Sequence, residues 1–222
     1  MKALLLAAGR GERMRPLTDD RPKPLLTVGR ESLIERHLRK LEEAGVRDVV
    51  VNLHYRGDLI QEALGDGQRY GLKITYSMEQ DLLETGGGAK QALGYLGEAP
   101  FIVVSSDILV DFDYRRLLEV DAVINHLVLV RNPEHHPQGD FRLTASGCVR
   151  PGNEATFAGI GVITPDLIRN CPKAAFPLRD VLFPAASEGR LTGEMHLGYW
   201  SDVGTPERLA AAQADYESGL CR

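Results

Sequence analysis

Short apolar runs alternate with amphipathic stretches over the first half of the chain. The runs predict buried strands, and the stretches with an apolar residue every three to four positions predict helices. In chain order these are strand Lys2–Ala7, helix Ser32–Ala44, strand Asp48–Leu53, helix Gly57–Leu64, strand Lys73–Ser77, helix Gly88–Leu96 and strand Phe101–Ser105. The β-α-β-α-β-α-β order predicts an α/β fold with a Rossmann-like, doubly wound, mostly parallel sheet and helices on both faces.

The pattern loosens in the second half of the chain. It predicts strands at Ala122–Val130 and Thr156–Ile163, a hairpin at Asp140–Val149 turning near Ser146–Gly147, and helices at Leu178–Glu188 and Glu207–Tyr216. No repeat, linker or low-complexity stretch separates two units, and 222 residues can bury one full core. We therefore expect a single domain over residues 1–222.

Composition and charge narrow the class of partners. Hydrophobic residues make up 43% and charged residues 26% of the chain, as in ordinary globular proteins. The formal net charge of -5 argues against a nucleic-acid partner, because phosphate backbones require a basic surface. We expect no membrane partner and a cytoplasmic location, since no apolar run approaches the length of a membrane span and the 3 cysteines have no metal or disulfide spacing.

The loop after the first strand combines glycines with local positive charge. Its apolar run ends in small residues and in Gly9 and Gly11, so a ligand can approach the backbone closely. Cationic side chains follow at Arg10, Arg13, Arg15, Arg21 and Lys23, with prolines on both sides of the lysine. Exposed amide groups beside fixed positive charge suit a polyphosphate. No lysine follows the second glycine as in a Walker loop, and Met14 stands where the dinucleotide fingerprint needs glycine or alanine.

This segment resembles the signature of the sugar-1-phosphate nucleotidyltransferases. The shared pattern is a strand, Gly-x-Gly-x-Arg-Met-x-Pro-Leu-Thr and then Pro-Lys-Pro-Leu. The resemblance runs the whole length and implies a bare catalytic core that joins a nucleoside triphosphate to a sugar 1-phosphate and releases pyrophosphate. It implies that Arg15 and Lys23 are catalytic, and that the nucleotide binds Ala8, Gly9, Gly11, Glu12, Arg13 and Lys23.

A second glycine-rich segment, Glu84-Thr85-Gly86-Gly87-Gly88, opens a predicted helix. Three glycines destabilise a helix start, so we interpret them as room for base and ribose against the backbone; a flexible turn is the alternative. The family resemblance implies that Asn52, Glu79, Gly86 and Gly87 lie near the nucleobase and ribose.

Two aspartates are the candidate metal ligands. Asp107 follows a buried strand, and Asp202 lies in Trp200-Ser201-Asp202-Val203-Gly204-Thr205, which resembles the second metal motif of the family. Mg²⁺ is held by one or two carboxylates while substrate phosphates complete its octahedron, so the cofactor implied is Mg²⁺. The neighbouring Asp111 and Asp113 are interpreted as structural, Asp113 as the cap of a short helix.

The middle of the chain points to the acceptor. Residues 132–141, which end in Gly139-Asp140-Phe141, resemble one branch of the family, the N-acetylmuramic acid 1-phosphate uridylyltransferases of peptidoglycan recycling. The resemblance implies UTP as donor and Asp140 and Ser105 as sugar-binding residues. That branch has Asn-Gly-Asp where this chain has Ser105-Ser106-Asp107. Ser105 therefore offers the sugar a hydroxyl group in place of the asparagine amide. Adjacent histidines such as His135 and His136 rarely ligate one ion together, so we expect no metal there.

Other functions stay open at this point. Mannose 1-phosphate with GTP and glucose 1-phosphate with dTTP are alternatives with the same chemistry. A catalytically silent nucleotide-sugar sensor is an alternative of another class, although it would not need the cationic and carboxylate residues described above. We expect a monomer or a weak dimer.

Overall fold

A nine-stranded sheet forms the centre of the computed structural model, which describes residues 1–121 and 124–221. The strands are β1 Lys2–Leu6, β2 Thr27–Val28, β3 Glu31–Ser32, β4 Asp48–Leu53, β5 Lys73–Met78, β6 Phe101–Ser105, β7 Ile108–Val110, β8 Asn125–Arg131, β9 Phe141–Leu143, β10 Val149–Pro151, β11 Ala155–Ile163, β12 Leu191–Met195 and β13 Trp200–Asp202. The helices are α1 Leu33–Glu43, α2 Gly57–Leu64, α3 Glu84–Leu96, α4 Arg115–Leu118, α5 Pro165–Arg169, α6 Arg179–Ser187 and α7 Pro206–Glu217.

The sheet has a parallel half and a largely antiparallel half. Strands β5, β4, β1 and β6 run parallel, and Leu4 of β1 lies between Val50 and Val103 of its neighbours. Beyond β6, strand β11 runs antiparallel to it and pairs with β8 and β9, while β12 is parallel to β8. The predicted α/β fold with a central, mostly parallel sheet is confirmed, and the antiparallel strands extend it on one side.

Alternate residues of the central strands enter separate cores on the two faces of the sheet. Leu5 and Val51 pack with apolar side chains of α1 and α2 on one face. Leu4 and Val50 pack with those of α3, α5 and α6 on the other. Strands covered on both faces are apolar at most positions, which explains why β1, β4 and β6 show no regular polar alternation. A third cluster, which includes Met14 and Val203, lies beneath the loop after β1.

Helix α3 begins earlier than the sequence predicts. It includes Gly86, Gly87 and Gly88, and the carbonyl of Phe176 accepts hydrogen bonds from the N–H groups of Gly86 at 2.8 Å and Gly87 at 3.1 Å. A Cβ atom on Gly86 would lie 2.3 Å from the Phe176 ring, and one on Gly87 would lie 2.3 Å from the Ala174 carbonyl oxygen. The glycines therefore allow the segment at 174–176 to pack directly on the helix.

Other differences fall in the second half of the chain. The predicted strand Ala122–Val130 is present from Asn125, and Ala122 and Val123 lie outside the described residues. The pattern did not predict β12, whose sequence Leu-Thr-Gly-Glu-Met is no apolar run because it packs at the edge of the sheet. Within residues 1–121 and 124–221, no helix has the length and apolar character needed to cross a bilayer.

Two glycines of α3 give opposite predictions for stability. A Cβ atom on the exposed Gly94 would meet nothing within 4 Å, so Gly94→Ala should raise the free energy of unfolding by about 0.5–1 kcal/mol. A Cβ atom on Gly88 would lie 2.4 Å from both Asn52 Nδ2 and Glu79 Oε1, so Gly88→Ala should lower it by about 1–3 kcal/mol. Urea denaturation of the wild-type protein and the two variants measures both changes in the free energy of unfolding. Equal effects of the two substitutions would contradict the packing described.

Candidate active site

A cavity of about 720 Å³ opens at the carboxyl ends of β1, β4 and β6. Ligands of open α/β sheets bind at this edge, where the loops after the strands converge. Most of the residues predicted to bind the nucleotide or metal line this cavity, together with Ser105, which was predicted to bind the sugar: Ala8, Gly9, Gly11, Glu12, Arg13, Lys23, Asn52 and Asp107. The sequence motifs therefore come together in one site.

The backbone of Gly11 determines the shape of the loop after β1. Gly11 has φ of 63°, a left-handed conformation that favours glycine. Its carbonyl accepts hydrogen bonds from Met14 N at 2.8 Å and Thr18 Oγ1 at 2.9 Å. A Cβ atom here would lie 3.0 Å from the Thr18 methyl group and 3.2 Å from Lys23 Cβ. Glycine thus lets the loop fold tightly beside Lys23.

Lys23 and Asp107 form an ion pair in the wall of the cavity. The Lys23 Nζ atom lies 2.6 Å from Asp107 Oδ2, and the lysine is 8% exposed. The short 3₁₀ turn Lys23–Leu25 begins after Pro22, which has an extended backbone. Because a buried ammonium requires a counter-charge, Asp107 supplies the partner that fixes Lys23 at the site.

A two-stranded ladder brings Asp202 beside Asp107. Strand β13 pairs with β7 so that Asp202 lies opposite Ile108, and Val203 N donates to the Asp107 carbonyl at 2.9 Å. The backbones of the two aspartates, far apart in sequence, are therefore adjacent, although Asp107 lines the cavity and Asp202 does not.

One oxygen of Asp202 has no hydrogen-bond donor. Arg208 Nη1 donates to Asp202 Oδ2 at 2.5 Å, whereas Oδ1 is buried and unpaired among the described residues. His135 Nε2 lies 3.0 Å from Oδ1 but also 2.7 Å from Arg208 Nη1. His135 Nε2 accepts the hydrogen bond from Arg208, so it carries no hydrogen that it could donate to Asp202 Oδ1. The unpaired Oδ1 is thus available to a cation.

His37 supports the strand that follows Asp107, a role that sequence reasoning did not identify. Its ring is buried, with Nε2 3.0 Å from the Ile108 carbonyl and Nδ1 2.8 Å from the Tyr114 hydroxyl. Burial lowers the pKa of His37 to about 4, so the ring is neutral at pH 7. The neutral ring donates from Nε2 to Ile108 and accepts from Tyr114. Only its position on the apolar face of α1 signalled that His37 is buried.

Asn52 and Glu79 form a buried brace behind the cavity. Asn52 Oδ1 accepts from Ala7 N at 2.8 Å, and its Nδ2 donates to Glu79 Oε1 at 2.6 Å. Glu79 Oε2 accepts from Leu83 N at 3.0 Å. Asn52 reaches the cavity, whereas Glu79 acts through the brace and is not part of the lining.

The glycines of α3 occupy a different position from the one expected. Gly86 and Gly87 pack against the segment at 174–176, and the neighbouring Glu84 and Thr85 line the cavity instead. Glu84 has φ of 60°, an unusual conformation for a residue with a side chain. The interpretation that the glycines make room for a ligand is thus corrected: they make room for the protein's own backbone and for Phe176.

The position of Arg15 also requires a correction. Arg13 lines the cavity, whereas Arg15 does not, and Arg15 Nε lies 3.3 Å from Asp19 Oδ1 in an exposed ion pair. The 3₁₀ turn Glu12–Met14 buries Met14, and the chain leaves it in an extended conformation at Arg15. Because of this turn, Arg13 faces the cavity and Arg15 faces solvent, although only one residue lies between them.

A second cavity of about 200 Å³ adjoins the first. Ser105 lines both, and Asp140 lines the smaller one, whose walls are largely apolar. Asp140 Oδ2 accepts from Phe157 N at 3.0 Å, and Oδ1 lies 3.1 Å from His136 Nε2. Asp140 thereby fixes β11 as well as facing the cavity. The Ser106 hydroxyl, in the position expected to be glycine, donates to the Leu6 carbonyl at 2.5 Å.

Comparison with known proteins identifies the class. A family model described as Nucleotidyl transferase matches residues 2–152, and the chain belongs to this family. The chain is therefore a nucleotidyltransferase, as its motifs predicted, and the family resemblance is confirmed.

Individual relatives cover almost the whole chain. It is 45% identical to N-acetylmuramate alpha-1-phosphate uridylyltransferase of Neisseria meningitidis serogroup B, over 96% of this chain and 97% of the relative. It is 35% identical to the protein of the same name from Caulobacter vibrioides, over 96% of this chain and 95% of the relative. A crystal structure of a putative glucose-1-phosphate thymidylyltransferase from Bacillus anthracis has the same fold, with a TM-score of 0.86, 22% identity and coverage of 96% of this chain and 94% of that one.

Proposed function

We propose that the protein transfers the uridylyl group of UTP to N-acetylmuramic acid 1-phosphate, releasing pyrophosphate, with Mg²⁺ and in peptidoglycan recycling in the cytoplasm. The observation that carries this proposal is the continuity of the two cavities. The larger holds the phosphate-binding loop with Lys23 and Asp107, and the smaller holds Asp140. A donor and an acceptor can therefore meet beside Ser105, which lines both. The names of the Neisseria and Caulobacter relatives support the choice of UTP and of the sugar.

The reaction needs charge stabilisation rather than a general base. A phosphate oxygen of the sugar 1-phosphate attacks the α-phosphorus of UTP, the bond between the α- and β-phosphates breaks, and pyrophosphate leaves. The attacking oxygen is already anionic, so no proton has to be removed. We assign Lys23 to the α-phosphate, Arg13 to the departing pyrophosphate and the loop amides to the nucleotide, because all of them line the larger cavity.

The residues around Asp107 and Asp202 fit a magnesium ion. Hard carboxylate oxygens suit Mg²⁺, and Asp202 Oδ1 is buried without a hydrogen-bond donor among the described residues. Within that part of the chain no group of three or more His, Cys, Asp or Glu side chains forms a metal site alone, so phosphates and water would complete the shell. When bound, the ion supplies neutralisation and alignment of the reacting phosphates. Lys23 and Arg208 now pair with these two carboxylates, and a metal ion would have to share or replace those pairs.

The acceptor is tested by a direct comparison of substrates. The protein is incubated with Mg²⁺, each of the four nucleoside triphosphates and the 1-phosphates of N-acetylmuramic acid, N-acetylglucosamine, mannose and glucose, and pyrophosphate release is followed. We expect the highest kcat/KM with UTP and N-acetylmuramic acid 1-phosphate. A kcat/KM at least tenfold higher for mannose 1-phosphate with GTP, or for glucose 1-phosphate with dTTP, would contradict the proposed acceptor. A tenfold difference corresponds to about 1.4 kcal/mol. Binding without turnover would support the sensor.

The metal ligands are tested by removing one charge at a time. Asp107→Asn and Asp202→Asn should each lower kcat by at least about 10²-fold, because an amide is a poor magnesium ligand. Both should also weaken Mn²⁺ binding measured by electron paramagnetic resonance. Asp113→Asn is the matched control, since Asp113 Oδ1 accepts a hydrogen bond from Arg115 N at 3.0 Å and Asp113 lies outside the cavity. Unchanged metal affinity and turnover in both variants would contradict the assignment.

Arg13 and Arg15 form a second matched pair. Arg13→Ala should lower kcat/KM for UTP by about 10- to 100-fold, because a charged hydrogen bond to phosphate is lost. Arg15→Ala should change it by less than about threefold, since exposed ion pairs contribute little. Steady-state kinetics with varied UTP measures both. An equal or larger loss in Arg15→Ala would restore the role first expected for that residue.

A further inference from the structure

Arg179 is a cation in the wall of the smaller cavity, and the proposed reaction assigns it no role. It is the first residue of α6 and lines both cavities. Among residues 1–121 and 124–221, no carboxylate lies within ion-pair distance of its guanidinium, and the side chain makes no hydrogen bond there. Its charge is therefore not used by the fold.

The nearby carboxylates already have other partners. Asp180, the next residue, forms an ion pair with Lys173, whose Nζ lies 2.7 Å from Asp180 Oδ2. Asp140, across the smaller cavity, is held by His136 and Phe157 N. Helix stability does not explain Arg179 either, because a cation at a helix N-terminus is electrostatically unfavourable.

The walls beside Arg179 define the chemistry of its partner. Phe141, Phe157, Leu182 and Phe183 make the smaller cavity largely apolar, and the phosphate-binding loop lines only the larger one. A ligand group there should combine a small apolar part with an anion that pairs with the guanidinium. A carboxylate matches the planar fork of arginine through two parallel hydrogen bonds.

We infer that Arg179 determines acceptor specificity by binding a carboxylate substituent of the sugar. This inference rests on the proposed function, since the lactyl ether of N-acetylmuramic acid 1-phosphate carries both a methyl group and a carboxylate. N-acetylglucosamine 1-phosphate is the same molecule without that ether. Arg179 is exposed, so water solvates its guanidinium when the analogue binds, and the discrimination comes from the ion pair that only the carboxylate substrate gains.

The test compares these two acceptors in four proteins: wild type, Arg179→Gln, Arg179→Lys and the control Arg190→Gln. Arg190 follows the other end of α6, pairs with Glu188 and lies outside both cavities, so its loss matches the change in net charge. Arg179→Gln should lower kcat/KM for the N-acetylmuramic acid compound by about 10- to 100-fold and leave that for the N-acetylglucosamine compound within about twofold. Arg179→Lys should recover part of the loss, and Arg190→Gln should match wild type.

Calorimetry with both acceptors, in the presence of Mg²⁺ and a non-hydrolysable UTP analogue, measures affinity without turnover. The same differential loss should appear there and diminish at high salt. Equal loss for both acceptors would assign Arg179 to the shared phosphate or ring, and no loss would remove it from the site; either result overturns the inference while the proposed function stands. Absence of uridylyl transfer in wild type would overturn the proposed function, and the calorimetric comparison would still decide the role of Arg179.

Discussion

The ion pair between Lys23 and Asp107 is the constraint on which the site depends. A nearly buried ammonium is tolerated only beside a fixed negative charge, and removing one member of such a pair leaves the other unpaired in the interior. The pair also joins two distant parts of the chain, the proline-flanked turn after the phosphate-binding loop and the end of β6. Loop and sheet are therefore held in one geometry before any ligand arrives.

The surrounding contacts hold each member of this pair in place. Gly11 brings the loop against Lys23, and His37 holds the carbonyl of Ile108, the residue after Asp107. The ladder of β7 and β13 then places Asp202 beside Asp107. Each of these two carboxylates is neutralised by a cation of the protein itself, Asp107 by Lys23 and Asp202 by Arg208. Under the proposed function, substrate phosphates and a divalent ion would enter by exchanging partners with Lys23 and Arg208.

The sequence predicted the parallel half of the fold closely because those strands are covered on both faces. The observed β4 and β6 have the predicted bounds, and β1 ends one residue earlier. The motifs also located Lys23 and Asp107. A loop that follows a buried strand of a parallel sheet emerges at the carboxyl edge of that sheet, where ligands bind.

The sequence could not predict features that depend on contacts between distant segments. The glycines of α3 are required by the packing of Phe176, some ninety residues later in the chain, so the local pattern could not separate a ligand from a protein neighbour. Arg13 and Arg15 have the same chemistry, and only the direction in which the 3₁₀ turn ends distinguishes them. The edge strand β12 lacks an apolar run, which leaves no periodic signal.

The change from parallel to antiparallel pairing at β6 divides the work of the enzyme. The loop after β1 and the brace of Asn52 belong to the parallel half, whereas β9, β11 and α6 build the walls of the smaller cavity. Ser105, at the end of β6, lines both cavities. If the proposed function holds, substitutions on the antiparallel side can change which acceptor is used without disturbing the binding of the donor. In such an architecture, selection can diversify the product while the machinery of group transfer stays constant.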